Sequence, residues 1–240
     1  MRNGFLPRKP PHREDCSIER RIAFAARDAC VILAAESFDV KSPDHEELLA
    51  LLTEKSVCHG TFTLASGAQS DLYVDARLTT FDPRGALLLG RVGWQLVRQT
   101  AAKRDVRVDA IGGLTLGADP VALSVGIAAH LDDPSNTLQV FTVRKAAKGH
   151  GRQKQIEGNF SKGDSVVVVD DVITTGGSTL QAIDAIEEAG GRVAFVLVLV
   201  DRQEGGREAI EQRGHAVVSI FTRADLMSKN STSQSHTAVV

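Results

Sequence analysis

The sequence has few cysteines and no long apolar run, and each shortage argues against a class of protein. Only three of its 240 residues are cysteine, and Cys16, Cys30 and Cys58 have neither an even count nor a metal-ligand spacing. We therefore expect neither a disulfide framework nor a zinc site. The same cysteine usage favours a reducing, cytoplasmic location. No apolar run has the length of about 18 residues that a membrane-spanning helix needs, so no membrane partner is expected.

Neither sign of charge is in large excess. The chain has 28 Lys and Arg against 30 Asp and Glu, a formal net charge of −2, so its bulk charge predicts no binding to nucleic acid. Basic residues near the N-terminus are followed by neither the apolar segment of a secretory signal nor the acid-poor composition of a transit peptide. No targeting segment is therefore expected.

The order of strand and helix patterns predicts the fold class. From Val106 onward, apolar strands alternate with helices, which is typical of an α/β protein with a doubly wound, mostly parallel sheet. Before it, Ser42 and Pro43 predict a helix start, and a helix over residues 83–100 is expected to have Leu87, Gly90, Trp94 and Val97 on one face. The predicted domains are an N-terminal extension over 1–44 with an arm and a helix over 17–38, a main domain over 45–226 and a disordered tail over 227–240.

The predicted strands and helices of the main domain are short and regularly spaced. Two strands around a Ser-Gly turn, at residues 61–64 and 72–75, form a small N-terminal hood. The strands of the sheet are predicted at 108–112, 138–143, 165–169, 193–200 and 217–221, and its helices at 119–130, 179–189 and 206–213.

Residues 166–179, VVVVDDVITTGGST, carry the strongest functional signal. Four β-branched residues predict a buried strand, Asp170 and Asp171 stand at its carboxyl end, and a glycine-containing loop then opens a helix. Ligands of open α/β sheets bind at the carboxyl ends of strands, and a helix N-terminus offers amides to a phosphate. The loop has neither the lysine of a P-loop nor the spacing of a dinucleotide fingerprint.

Two adjacent carboxylates suit the hydroxyl groups of a sugar, because ionised carboxylates only accept hydrogen bonds. The stretch therefore predicts a site for a ribose 5-phosphate. The alternative is a strand that ends in two solvated acids before an ordinary helix cap. The residues expected at the ribose 5-phosphate are Asp170, Asp171, Val172, Ile173, Thr174, Thr175, Gly176, Gly177 and Ser178.

A second constellation is the cationic loop, residues 144–154, RKAAKGHGRQK. It has five fixed cations, two glycines and no apolar period, which predicts a mobile loop, and a loop of this length in a compact domain is usually functional. Cations placed in advance would stabilise a departing pyrophosphate, and a closing loop would exclude water. The alternative is a solvated run of charge.

These stretches carry a resemblance to a known family. The run VVVVDDVITTGGST resembles the phosphoribosyl-pyrophosphate (PRPP) signature of the type I phosphoribosyltransferases. The cationic loop, with the IEG that follows it, is similar to that of the orotate phosphoribosyltransferases. The resemblance spans about residues 45–226, and further stretches that agree with it are FTLASG and SDLYVD in the hood, GGLTLGADP at 112–120 and VDRQEGG at 200–206.

The resemblance implies a type I phosphoribosyltransferase fold and an enzyme of pyrimidine synthesis. Such an enzyme joins orotate to PRPP to give orotidine 5'-phosphate and pyrophosphate on the route to UMP. The resemblance also implies Mg²⁺ as cofactor, bound through PRPP and not by protein ligands directly. It implies a homodimer with shared active sites, in which the cationic loop of one subunit closes over the site of the other.

Residue roles follow from the same resemblance. The groups expected to be catalytic are Lys148, Asp170 and Asp171. The pyrophosphate of PRPP would meet Arg144, Lys145, Lys148, His150, Thr115 and Leu116. Orotate would meet Thr174, Arg202 and Tyr73.

Some assignments have plainer alternatives. Tyr73 would otherwise be a strand residue packed under the hood, Arg202 a surface ion pair and His150 a bystander, since imidazole is mostly neutral at pH 7. The chain also departs from the family pattern, because many members have lysine where Ala65 and Ala68 stand.

Two other functions remain open at this point. One is a phosphoribosyltransferase for another base, which would be expected to lack Arg202 or the cationic loop. The other is a PRPP-binding regulator or inactive paralogue, against which the intact Lys148 argues.

Overall fold

A two-stranded hairpin precedes a six-stranded sheet in the computed structural model, which describes residues 42–63, 69–135, 137–146 and 155–228. The helices, labelled in chain order, are α1 Pro43–Ser56, α2 Arg77–Thr80, α3 Pro83–Arg104, α4 Ala118–Asp132, α5 Gly177–Glu188, α6 Gly206–Gln212 and α7 Arg223–Ser228. The strands are β1 Val57–Thr63, β2 Gln69–Val74, β3 Ala110–Leu114, β4 Gln139–Val143, β5 Ile156–Gly158, β6 Ser165–Ile173, β7 Arg192–Asp201 and β8 Val217–Thr222.

The main sheet has the strand order β5-β4-β3-β6-β7-β8. Neighbouring strands run parallel except at the edge, where β5 pairs antiparallel with β4. The carboxyl ends of β3, β6 and β7 therefore meet at one edge of the sheet, where α/β proteins bind their ligands. The predicted doubly wound, mostly parallel sheet is confirmed, and β1 and β2 form the hood as an antiparallel pair.

Both faces of the sheet are covered by helices. On one face, alternate residues of β6 and β7 such as Val168 and Val196 are buried with Ile183 and Ile186 of α5. On the other face, α3 and α4 pack closely: a Cβ on Gly93 would lie 2.7 Å from Val125 Cγ2 and 3.9 Å from Leu197 of β7. Burial on both faces explains why these strands are apolar throughout.

The starts of α1 and α3 are fixed by side-chain caps. Ser42 Oγ accepts a hydrogen bond from the amide of His45 at 3.2 Å, which confirms the predicted helix start. Asp82 does the same for α3, accepting from the amides of Arg84 and Gly85. Of the residues predicted on one face of α3, Leu87 is 51% exposed, whereas Gly90 packs against α4, where a Cβ on it would lie 2.5 Å from Ser124 O.

Several boundaries differ from the prediction. Strand β6 continues to Ile173, so Asp170 and Asp171 lie within the strand and not after it, because β7 is long enough to pair with it throughout. The short elements α2, β5 and α7 were not predicted. Met227 and Ser228, expected in a disordered tail, end α7. The predicted helix over 17–38 lies outside the described residues.

No helix in the described part of the chain is both long enough and apolar enough to cross a membrane.

Candidate active site

Asp170 and Asp171 have different environments although they are neighbours in β6. Asp170 is buried, and its Oδ2 accepts a hydrogen bond from Thr179 Oγ1 of α5 at 2.7 Å. Asp171 is partly exposed, and its Oδ1 accepts from the amide of Val172 at 2.9 Å. The strand thus directs one carboxylate inward and leaves the other accessible to a ligand.

Burial changes the acidity of Asp170. Loss of water around the carboxyl raises its pKa from 3.8 to about 7, and the negative charge of Asp171 acts in the same direction. The Thr179 hydroxyl opposes this shift, because its hydrogen bond favours the ionised form. In the protein without ligands, a large share of Asp170 therefore holds a proton at neutral pH.

The phosphate loop, Thr174 to Gly176, connects β6 to α5. Gly176 has φ +81, a left-handed conformation that favours glycine, and it brings the chain to the N-terminus of the twelve-residue helix α5. The amides of a first helical turn have no partner within the helix and suit an anion. The predicted loop and helix start are therefore where a 5-phosphate would need them, one turn beyond Asp171.

The pyrophosphate loop, Thr115 to Gly117, lies beside β6 at the carboxyl end of β3. A Cβ on Gly113 would lie 2.0 Å from Val169 O, a backbone atom, so this contact requires glycine, and a Cβ on Gly117 would lie 2.4 Å from Asp171 Oδ1, so the Asp171 side chain would have to move. The peptide bond between Thr115 and Leu116 is cis. The loop and the carboxylate of Asp171 are therefore in direct contact.

Thr115 is braced inside the protein. Its hydroxyl donates to Asp119 Oδ2 at 2.7 Å and its amide donates to Val143 O at 2.8 Å, while Thr142 Oγ1 donates to the other oxygen of Asp119. Both hydrogen-bond donors of Thr115 are therefore engaged within the protein. Asp119 was not identified from the sequence.

Arg202 lies at the end of β7, next to the phosphate loop. Its amide donates to Ile173 O at 3.0 Å, and its Nη2 lies 2.6 Å from Glu204 Oε1. The alternative for Arg202 was a surface ion pair. The ion pair is present, but the side chain of Arg202 is only 4% exposed, so the pair is not on the surface. Glu204 was also missed by the sequence reasoning.

The turn that carries Arg202 packs against the phosphate loop through backbone alone. A Cβ on Gly206 would lie 2.5 Å from Thr174 O and 2.8 Å from Gly176 N. Arg207 holds the same turn from the other side, since its Nε donates to Asp201 Oδ2 at 2.8 Å and its Nη1 to Val217 O at 2.6 Å. The two loops that we assigned to different substrates are therefore neighbours.

The hood contributes Tyr73 and an unpredicted arginine. Tyr73 is 43% exposed and its ring centre lies 5.6 Å from that of Phe62, so its ring is not packed away beneath the hood. The guanidinium of Arg77 donates two hydrogen bonds to Asp75, and these, with smaller effects of Tyr73 and Asp171, raise the pKa of that guanidinium. An open cavity of about 620 Å³ is lined by Arg77 together with Asp75, Leu78, Phe81, Asp82, Pro83 and Leu116.

Of the cationic loop, only residues 144–146 are among those that the structure describes. Arg144 and Gln155 bridge its base, since Arg144 N donates to Gln155 O at 2.9 Å and Gln155 Nε2 donates to Arg144 O at 3.1 Å. Arg144 also pairs with Glu157 at 3.2 Å, and Gln181 of α5 donates to Lys145 O at 2.8 Å. The described residues that flank the masked part of the loop thus follow β4 and precede β5, and Lys145 contacts α5, while Lys148 and His150 lie outside the described residues.

The structure brings most of the predicted site residues to one edge of the sheet. Asp171, the phosphate loop, the pyrophosphate loop and the Arg202 turn are linked by direct contacts. Glycines at 113, 117 and 206 permit those contacts, and only their motifs, not their packing, were readable from the sequence.

Comparisons with known proteins agree with this geometry. Residues 107–220 match the phosphoribosyl transferase domain. The chain is 41% identical over 189 residues to an orotate phosphoribosyltransferase of Rhodopirellula baltica and 42% identical over 187 residues to that of Aquifex aeolicus. These matches cover 79% and 77% of this chain and 97% and 98% of the relatives.

A solved structure shares the fold. The orotate phosphoribosyltransferase of Mycobacterium tuberculosis in complex with PRPP has a TM-score of 0.61 and 38% identity, with 77% of this chain and 99% of that chain covered. Identity above 40% over nearly the whole length of the curated relatives, together with the shared fold, places the protein in a family: the chain belongs to the orotate phosphoribosyltransferases.

Proposed function

We propose that this protein transfers the 5-phosphoribosyl group of PRPP to orotate, giving orotidine 5'-phosphate and pyrophosphate in UMP synthesis. The observation that carries the proposal is the arrangement at the end of β6. There, a partly exposed carboxylate, Asp171, touches the loop expected to hold pyrophosphate and is followed by an amide-rich turn suited to a 5-phosphate. This is the layout that a sugar with phosphates at both ends requires.

The ribose end of PRPP is assigned to β6 and the phosphate loop. Asp171 would accept hydrogen bonds from the ribose hydroxyls, with Asp170 behind it. Val172 and Ile173 belong to β6, and Ile173 is fully buried, so they would contribute backbone groups only. The 5-phosphate would be held by amides and hydroxyls of Thr174, Thr175, Gly176, Gly177 and Ser178.

The pyrophosphate end is assigned to the pyrophosphate loop and the cationic loop. As the bond between C1 and the pyrophosphate oxygen breaks, the ribose gains oxocarbenium character and the leaving group gains charge. Preplaced cations stabilise that charge. We assign this role to Arg144, Lys145, Lys148 and His150, with Lys148 as the main catalytic cation, and a contact with pyrophosphate to Thr115 and Leu116.

We propose Mg²⁺ as the cofactor, entering with PRPP. Magnesium prefers oxygen ligands and keeps several waters, so it is commonly held by substrate phosphates with few protein groups. The oxygens of PRPP would therefore be its main ligands, and the ion would neutralise part of the pyrophosphate charge.

Orotate is assigned to the space between Arg202, Thr174 and Tyr73. Arginine is always charged and suits a carboxylate in a planar, two-point contact. The half-exposed ring of Tyr73 is free to lie against a flat heterocycle. The ring nitrogen of orotate would attack C1 from this side while pyrophosphate leaves from the other.

We propose a homodimer, in which one subunit's cationic loop completes its partner's site. An apolar stripe on α4 supports it: Leu123, Ile127 and Leu131 recur every four residues and are 54%, 53% and 74% exposed. Leu87 of the adjacent helix α3 is also half-exposed. Contiguous exposed apolar residues of this kind mark interaction surfaces.

We also propose that the protein works in the cytoplasm. Cys58 is a free, exposed thiol, as expected where thiols are kept reduced.

A panel of acceptor bases tests the proposed function. The protein is incubated with PRPP and Mg²⁺ and, in parallel reactions, with orotate, uracil, adenine or guanine, and pyrophosphate release is followed. We expect fast pyrophosphate release in the reaction with orotate and not in the reactions with the other three bases. Release with a purine only would indicate a phosphoribosyltransferase for another base, and PRPP binding without release in any reaction would indicate a regulator.

A further inference from the structure

The guanidinium of Arg202 forms an ion pair within its own turn. Glu204 Oε1 lies 2.6 Å from Arg202 Nη2, and the two side chains are 27% and 4% exposed. A base that is to bind Arg202 must therefore reach a buried charge that holds a carboxylate already.

The backbone of the turn creates this pair. Gln203 has φ +55 and Gly205 has φ +91, and Asp201 Oδ1 accepts from the amide of Gln203 at 2.8 Å. Gln203 is the residue between Arg202 and Glu204, and its left-handed conformation accompanies the meeting of these two side chains. A buried guanidinium without a counter-charge is strongly destabilising, and Glu204 supplies a counter-charge to Arg202.

A ligand that binds Arg202 must break the Arg202–Glu204 ion pair, and this cost lowers its affinity. A ligand with a carboxylate replaces one ion pair by another, whereas a neutral base offers only carbonyl oxygens, which form weaker hydrogen bonds to a cation. Glu204 itself is partly exposed beside Gly205, so it can turn towards water without needing a new protein partner.

We propose that Glu204 is a specificity-determining residue that competes internally for Arg202, and that the carboxylate of orotate takes its place. Neutral pyrimidines bind too weakly to react, because they break the Arg202–Glu204 ion pair and form no new ion pair in its place. This inference rests on the proposed function, and in particular on the assignment of Arg202 to orotate.

The sign of one effect separates this role from a purely structural one. If Glu204 competes with the substrate, Glu204→Gln keeps the shape of the side chain and weakens the competitor, so orotate binds more tightly. If Glu204 only holds Arg202 in position, the same variant binds orotate more weakly. We expect KM for orotate to fall roughly tenfold, which corresponds to about 1.4 kcal/mol.

The test compares Glu204→Gln with Glu208→Gln, a matched loss of charge at an exposed position of α6. Initial rates are measured over a range of orotate, and then of uracil, with saturating PRPP and Mg²⁺. An equilibrium readout accompanies them, the rise in Tm on adding orotidine 5'-phosphate alone. We expect a lower KM for both bases, a lower Tm without ligand and a larger rise in Tm with it, and no such change in Glu208→Gln.

The outcomes distinguish the inference from the function beneath it. A wild-type protein that turns over orotate, with a Glu204→Gln variant whose KM is raised or whose rise in Tm is smaller, overturns the inference and leaves the proposed function standing. A wild-type protein that consumes no orotate overturns both.

Discussion

At the scale of single residues, Asp170 is a buried carboxyl group with a raised pKa. Its carboxyl is buried behind Asp171 and held by Thr179, and burial raises its pKa to about 7. In the unfolded chain the same carboxyl titrates near pH 4. Asp170 therefore links folding to pH in the opposite direction from a salt-bridged aspartate.

The sign of this linkage gives a prediction. Between about pH 4 and pH 7 the folded protein binds more protons at Asp170 than the unfolded chain, so raising the pH lowers the free energy of unfolding, by up to about 1.4 kcal/mol per pH unit. Asp170→Asn removes this contribution. Urea unfolding of both proteins at several pH values is expected to show the wild type losing stability relative to the variant as the pH rises, and parallel profiles would contradict the raised pKa.

Residue types were readable from the sequence where chemistry alone decides them. The two acids and the loop threonines were predicted because each has a role that few residue types fill, whereas Arg202 was assigned through the resemblance to the family. Glu204 and Arg77 were missed. Each forms an ion pair with a residue two positions away, and such a pair depends on backbone angles that cannot be read from the amino-acid sequence.

At the scale of elements, the close approach of two loops organises the site. Gly206 at the start of α6 touches the phosphate loop at Thr174 and Gly176, with no space for a side chain. Both contacts are with backbone atoms, which cannot rotate away. The position of the orotate-side turn therefore depends on that of the phosphate loop.

Substitution of Gly206 is expected to disturb both loops. Gly206→Ala would push the phosphate loop outward, lower the free energy of unfolding by about 1–3 kcal/mol and raise KM for PRPP. The matched control is Gly205→Asn, where nothing lies within 4 Å and asparagine tolerates the left-handed conformation. Denaturation and PRPP titrations check both variants, and equal effects would show that the contact at Gly206 is unimportant.

The ends of elements were predicted less well than their existence. Strand β6 was expected to end at Val169, yet pairing with β7 carries it to Ile173. Strand β5 has only three residues and forms by pairing with β4. It is too short to show a hydrophobic periodicity that would predict a strand. Both errors come from pairing between distant segments, which local patterns do not contain.

At the scale of the whole molecule, the apolar stripe on α4 is the candidate surface for a second copy. A charge at Ile127 would be buried in such an interface, so Ile127→Arg is expected to yield monomers with much reduced turnover. Met227→Arg, at another exposed apolar position, is the control. Sedimentation and activity are measured together, and a variant that stays dimeric would place the interface elsewhere.

If the active sites are shared between subunits, two inactive variants are expected to complement each other. Mixing and reassembling Lys148→Ala with Asp171→Ala, each inactive alone, is expected to restore part of the activity, because some mixed dimers contain one intact site. No recovery after verified exchange of subunits would mean that each site is built from one chain.

The central claim is that this chain couples orotate to PRPP. The most direct measurement follows orotate absorbance and pyrophosphate together after PRPP and Mg²⁺ are added. We expect one pyrophosphate for each orotate consumed, with turnover reduced by orders of magnitude in Lys148→Ala while its affinity for PRPP changes little. Binding of PRPP without consumption of orotate would contradict the claim.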